Sequence, residues 1–261
     1  MHARSSSRPL PRSVCLLLLA LCGACSPMLD LGSNVLWATD HESGELDGWY
    51  ENGQGGLLMD SGEIAEGPAH SGQYSLKLTD FALSDIKGPG VYRELQSPPD
   101  AYYSIWYYLP RLYETKSQWT IQKFRSRLDS DPTDSDPTET SHGHDLNLRT
   151  LPGGQVILYV YSHDPAYLQA PLADPPAFVP VDTWFHVEVF YSPRTDETGR
   201  ISIWLDDRLV YDLRDRRTTG SDDVLWNPCN IGKDVQPSPP VVYLDDAAIS
   251  LVRVTRNGSP L

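Results

Sequence analysis

The chain has 261 residues, a formal net charge of −14, and seven Trp and fourteen Tyr within a 40% hydrophobic content. That aromatic content rules out a disordered polymer, and 35 acidic against 21 basic side chains argue against nucleic acid, whose phosphates need clustered Lys and Arg. The length suits one large all-β domain or two small ones, with enough chain to bury a sizeable core.

The first 25 residues read as an address. Arg4, Arg8 and Arg12 precede a short apolar run that ends at Gly23-Ala24. The run is too short to span a bilayer and has the form of a signal peptide. Leu21-Cys22-Gly23-Ala24-Cys25 resembles a bacterial lipobox, with Cys22 standing where that pattern prefers Leu. The resemblance implies cleavage before Cys25 and lipidation on it. The protein is then expected in the bacterial cell envelope, attached to a membrane through a lipid anchor, on the outer membrane in a Gram-negative cell. The alternative is ordinary secretion with cleavage nearby. Residues 26–33 form a short tether. Cys15 and Cys22 leave with the signal, so Cys229 is the one thiol of the mature chain without a lipid and no disulfide is expected. Its loop-like setting suggests a partly buried thiol rather than a nucleophile.

Beyond the tether, helical periodicity is nearly absent. Strand-length runs rich in Val, Ile, Tyr and Trp recur between Gly, Pro, Asp and Ser clusters. Strands are predicted at 35–39, 56–59, 74–78, 90–95, 101–109, 119–127, 145–149, 155–162, 184–192, 200–205, 208–212 and 241–254. About a dozen strands without a helical crossover argue for two stacked antiparallel sheets. Three loops separate them: an acidic one over 129–144, a Pro- and Ala-rich one over 163–180 expected to pack on a sheet face, and a long one over 214–240. None marks a domain boundary, so residues 34–261 are read as one domain.

Trp184-Phe185-His186-Val187-Glu188-Val189, followed by Ile201-Ser202-Ile203-Trp204-Leu205-Asp206-Asp207, resembles a concanavalin A-like jelly roll of the laminin G-like and polysaccharide-lyase-like kind. Asp206-Asp207 supplies the tight turn, with Asp207 where the family usually has Gly. Asp40-His41-Glu42, Ala69-His70-Ser71-Gly72-Gln73-Tyr74-Ser75-Leu76 and Tyr243-Leu244-Asp245-Asp246 are similar to the opening, second and closing strands of such domains. The resemblance implies an all-β, two-sheet antiparallel jelly-roll sandwich. It also implies a structural Ca²⁺ held where first and last strands pair, by Glu42 and Asp245 with Asp40 and Asp246 as alternates. Ca²⁺ takes six to eight hard oxygens, which carboxylates and loop carbonyls supply. Turn-capping by the same carboxylates is the alternative.

Jelly-roll polysaccharide lyases work on their concave sheet, with a cation for the uronate, a His or Tyr base and a Tyr acid. The alginate-lyase pattern Arg-x-Glu-x-Arg meets Tyr92-Arg93-Glu94-Leu95-Gln96 here, and Gln-x-His meets Gln122-Lys123-Phe124; that machinery is missing. A different polar face remains. Lys123, Arg125 and Arg127 alternate along one strand, as do Asn147 with Arg149, Tyr159 with Tyr161 and His163, and His186 with Glu188. If those strands are neighbours, the face joins cations, rings and histidines and can grip a glycan. Catalytic candidates are Tyr161, His163, His186 and Arg149. A plain solvated sheet face shows the same alternation. His142-Gly143-His144-Asp145 resembles a metal cluster only in composition. The leading expectation is a surface-anchored, non-catalytic domain that binds a polysaccharide or another envelope component. A polysaccharide lyase on the concave face and a structural envelope lipoprotein are the alternatives.

Overall fold

The computed structural model describes residues 34–46, 48–49, 62–80, 89–96, 99–115, 117–125, 143–164, 166–167, 170–220, 223–232 and 234–254. The expectations for residues 1–33 with Cys25, for a strand at 56–59, for Arg127 and for the acidic segment as far as His142 lie outside the described residues.

Sixteen strands follow in chain order among the described residues: β1 (Val35–Thr39), β2 (Glu63–Glu66), β3 (Tyr74–Thr79), β4 (Arg93–Gln96), β5 (Ala101–Tyr108), β6 (Glu114–Thr115), β7 (Trp119–Arg125) and β8 (Gly143–Thr150). Then come β9 (Val156–Ser162), β10 (Phe178–Val179), β11 (Trp184–Ser192), β12 (Gly199–Leu205), β13 (Arg208–Arg216), β14 (Asp223–Gly232), β15 (Val235–Gln236) and β16 (Val241–Ser250). The larger sheet runs β13-β12-β11-β5-β16-β3-β2, with β1 also on β16, and the smaller runs β10-β9-β8-β7-β14-β4. Every pairing in both is antiparallel. The architecture is the expected two-sheet jelly-roll sandwich. Its first and last strands pair, Val35 opposite Ser250 and Thr39 opposite Ala247.

Alternation decides what each sheet buries. Along β5, Tyr103, Ile105 and Tyr107 point into the core and are at most 1% exposed, while Trp106 lies on the outer side against His70 and His186. The sheets meet along an aromatic seam. Phe124 of β7 stacks on Tyr191 of β11 with centroids 4.5 Å apart, and Tyr103 sits edge-on to Phe124 at 5.1 Å and to Trp226 of β14 at 5.4 Å. Trp49 and Trp37 extend the seam beyond Trp226, at 5.3 and 6.1 Å. Such rings bury large apolar areas and prefer the edge-on and offset geometries seen here.

Two loop expectations need correction. The long loop over 214–240 does not exist as such: β13 continues to Arg216, and β14 is an interior strand of the smaller sheet, between β7 and β4. Pro228 hid it, because proline interrupts a ladder. The register shifts between Pro228 and Ile231, which absorbs the missing N–H, and the Pro228 carbonyl accepts from Val91 N at 3.1 Å. Cys229 beside it is fully buried, its thiol pushed up to about 12 by burial. The Pro- and Ala-rich segment gives β10, which adds to the edge of the smaller sheet at β9. Arg208 of β13 reaches back to the Pro175 and Pro176 carbonyls at 3.2 and 3.0 Å, so this segment closes one side of the sandwich. The Asp206-Asp207 turn joins β12 to β13 with φ of 48° and 65°, a left-handed pair that aspartate tolerates.

Replacing the fully buried Trp226 with Ala empties the middle of the seam. Equilibrium denaturant unfolding is expected to show a loss of about 3–5 kcal/mol.

Candidate functional site

Four neighbouring strands of the smaller sheet, β14, β7, β8 and β9, carry the candidate groove on the side turned away from the core, although Asn147, Asn227 and Thr120 on that side are buried. In register, Asn227 of β14, Lys123 of β7, Asp145 of β8 and Tyr161 of β9 form one row across the sheet. The next row holds Arg125 and Gly143, with His163 anchored by its N–H to the Gly143 carbonyl at 2.9 Å. On the other side lie Thr120, Asn147 and Tyr159, and then Arg149. β7, β8 and β9 are neighbours, which meets for them the condition set by the sequence reading, and they bring Lys123, Arg125, Asn147, Arg149, Tyr159, Tyr161 and His163 onto one face.

The organiser of this face is Asp145, only 2% exposed. Arg125 Nη2 forms an ion pair with Oδ1 at 2.8 Å, while His163 Nε2 and Gln118 Nε2 lie 3.0 and 3.3 Å from Oδ2. Burial opposes its charge, but Arg125, His163 and Lys123 outweigh burial and hold the carboxyl well below the usual carboxylate range. The Tyr161 ring meets His163 edge-on at 5.2 Å. Arg149 stands four residues from Asp145, about 13 Å along the strand. Its guanidinium lies over the Tyr159 ring at 4.7 Å. Burial raises the Tyr159 phenol above its ordinary value against the pull of Arg149. Thr120 Oγ1 donates to Asn147 Oδ1 at 2.7 Å between the two ends. One end of the groove thus offers Lys123, His163 and Tyr161 around a balanced carboxylate, and the other a cation laid on a ring.

Two expected members are elsewhere. His186 and Glu188 belong to β11 in the larger sheet, whose polar positions face outward, away from the groove. His186 Nε2 lies 2.7 Å from Ser104 Oγ. Glu188 accepts from Arg253 Nε at 2.6 Å and from Val254 N at 2.5 Å, and burial raises its carboxyl. Alternation alone could not say which sheet a strand joins. Gln118 and Asn227 were not singled out by the sequence, and Asp145 figured there only as the end of the His142-Gly143-His144-Asp145 run. Asp145 shares the spacing of Asn147 and Arg149 and was legible by that rule, whereas Asn227 was hidden in the strand that Pro228 disguised.

His144, read with His142 as a metal-like pair, is a β8 residue turned inward and fully buried near Tyr191. Neither ring nitrogen has a hydrogen-bond partner. Burial and the charge of Arg216 lower it to about 3.

Glu42 and Asp245 both hold the turn over 70–74. Glu42 accepts from Gln73 N and Tyr74 N, each at 2.8 Å. Asp245 accepts from His70 N at 2.8 Å, Ser71 N at 3.2 Å and Asp246 N at 2.8 Å. Trp49 Nε1 donates to His41 Nε2 at 3.1 Å, so His41 Nδ1 carries the hydrogen that faces Asp245 at 3.4 Å. Burial raises the Asp245 carboxyl. Asp246 takes His70 Nδ1 and Ser71 Oγ, while Asp40 caps the N–H of Glu42. Asp245 thus faces four donors, and no group of three metal-ligating side chains gathers among the described residues.

No family model matches the sequence, and no curated protein does. Solved structures are similar in fold. The cellulose-induced protein Cip1 aligns over 84% of this chain and 99% of its own at 14% identity, with a TM-score of 0.56. The marine PL-14 alginate lyase from Aplysia kurodai gives 83%, 99%, 14% and 0.54 in the same terms. The endo-β-1,4-glucuronan lyase from the fungus Trichoderma reesei gives 83%, 95%, 14% and 0.51. The jelly-roll sandwich is thus one that polysaccharide lyases also use.

The sign of the pH dependence follows from the two buried groups. Asp145 stabilises the fold above the ordinary carboxylate value of 3.8, and that contribution is lost as pH falls below it. His144 acts from 6.5 down to about 3, where the unfolded chain takes up a proton that the folded one refuses. Stability therefore falls with pH across that window. His144→Phe is expected to flatten this part of the profile, read by denaturant unfolding at a series of pH values.

Proposed function

We propose that the outward face of the smaller sheet is a binding surface for an acidic polysaccharide, carried by an exported, lipid-anchored envelope protein. The observation that supports it is the gathering of Lys123, Arg125, Tyr161 and His163 around the buried Asp145. Arg125 is committed to Asp145, while Lys123 and Arg149 remain to pair with carboxylates of a ligand. Sugar faces pack against the partly exposed Tyr161 ring, while Asn147, Asn227 and Thr120 are buried beneath and brace the strands. An alginate lyase and a glucuronan lyase are among the similar folds, which supports a glycan partner.

Elimination chemistry is the second reading, favoured by the contact of His163 with both Asp145 and Tyr161. His163 would take the proton at C5 of a uronate. The C5 electron pair would form the C4–C5 double bond as the C4–O bond breaks, and the leaving oxygen would take a proton from Tyr161. Binding stands first because the alginate-lyase Arg-x-Glu-x-Arg and Gln-x-His patterns are missing.

A panel of neutral and uronic polysaccharides, assayed for binding and for absorbance of unsaturated products, separates these readings. Uronic polymers are expected to bind, and Lys123→Ala to weaken them about tenfold or more. Products that vanish in His163→Gln and Tyr161→Phe would move the assignment to a lyase. Neither binding nor turnover across the panel contradicts the groove and leaves a structural envelope lipoprotein.

A structural Ca²⁺ at Glu42 and Asp245 is a separate proposal, and it requires the ion to replace N–H contacts now made by these carboxylates. Binding to the folded state alone stabilises it. A chelator is then expected to lower the melting temperature; an unchanged value contradicts the ion.

A further inference from the structure

Arg125 reaches Asp145 only because of the residue that it crosses. A Cβ on Gly143 would stand 2.5 Å from the Phe124 carbonyl oxygen and 2.7 Å from Arg125 Nη1. The bare glycine lets the guanidinium fold onto Oδ1 of Asp145 at 2.8 Å. With that oxygen taken, Oδ2 faces His163 Nε2 at 3.0 Å and Gln118 Nε2 at 3.3 Å. An ionised carboxylate has no hydrogen to give, so the hydrogen in the contact belongs to Nε2 of His163. The main-chain bond from His163 N to the Gly143 carbonyl, at 2.9 Å, fixes the ring from its other end.

We propose that Asp145 is a positioning residue, which holds the neutral His163 ring with its hydrogen on Nε2 and so leaves Nδ1 as the acceptor presented to a bound sugar. The proposal rests on the groove reading above and deepens it. In the binding mode Nδ1 accepts from a sugar hydroxyl; in the elimination mode the same lone pair is the base. His163 is 31% exposed, enough for a ligand to reach it. Arg125 acts through Asp145 and not on the ligand. The geometry therefore assigns the direct reading of the ligand's negative charge to Lys123 and Arg149.

The test follows the histidine ring nitrogens of the full exported chain by long-range ¹H–¹⁵N NMR, above the ordinary histidine range, with His163→Gln to assign the signals. The wild type is expected to show His163 in the Nε2–H form, with a hydrogen protected from exchange. In Asp145→Asn, Arg125 keeps the amide oxygen and turns the NH₂ toward His163. Nε2 must then accept, and the ring is expected to move to the Nδ1–H form. Uronic-polymer affinity is expected to fall about tenfold, with little further loss in the Asp145→Asn/His163→Gln double variant. A wild-type ring in the Nδ1–H form overturns the proposal, as does an Asp145→Asn variant with unchanged tautomer and affinity. Should Asp145→Asn fail to fold, the wild-type tautomer and its exchange still decide. Nε2–H with no glycan bound to the wild type overturns the groove and upholds the positioning.

Discussion

The aromatic seam between the sheets is the constraint from which the rest follows. Phe124, Tyr191, Tyr103 and Trp226 lock four strands of two sheets face to face. A strand whose residue is claimed by the seam has its neighbours on the other side. Phe124 inside therefore puts Lys123 and Arg125 outside, Trp226 does the same for Asn227, and the strand pairings carry that phase across to Asp145 and Tyr161. A slip of one residue would exchange groove and core wholesale. The groove is the polar half of a pattern whose apolar half holds the sandwich together.

Charge then organises that polar half. Without residues 1–25 the chain has 18 basic and 35 acidic side chains, a balance of −17, and long-range attraction of an anionic polymer is not what such a surface provides. What matters is local. A carboxylate this deeply buried needs partners in direct contact, and Asp145 has them in Arg125 and His163. Its burial therefore converts a loose set of polar side chains into a fixed one. The acidic surface and the cationic groove are compatible because partner distances of about 3 Å, not net charge, decide the state of these groups.

Much of the fold was legible because β structure writes itself with a period of two. The strands at Val35–Thr39 and Trp184–Ser192 were predicted to the residue. Pro228 defeated the same rule, since the bulge that accommodates it is a property of the paired strand and not of the segment. The site was legible by half. Alternation gave the faces of β7, β8 and β9, yet His186 and Glu188 obey the same alternation on the larger sheet, where Ser104 and Arg253 occupy them. Gly143 figured only as a spacer between two histidines, because its meaning lies in the arginine that crosses it.

The central claim is that the ligand face is the one built on Asp145 and not the aromatic outer face of the larger sheet, where Trp184, Tyr108 and Tyr243 also stand side by side. Titration of the ¹⁵N-labelled protein with a uronic oligosaccharide tests it most directly. The account expects chemical-shift changes at Lys123, Asp145, Tyr161 and His163, and quiet signals at Tyr108, Trp184 and Tyr243. Shifts that fall on the outer face and spare β7 to β9 would contradict it.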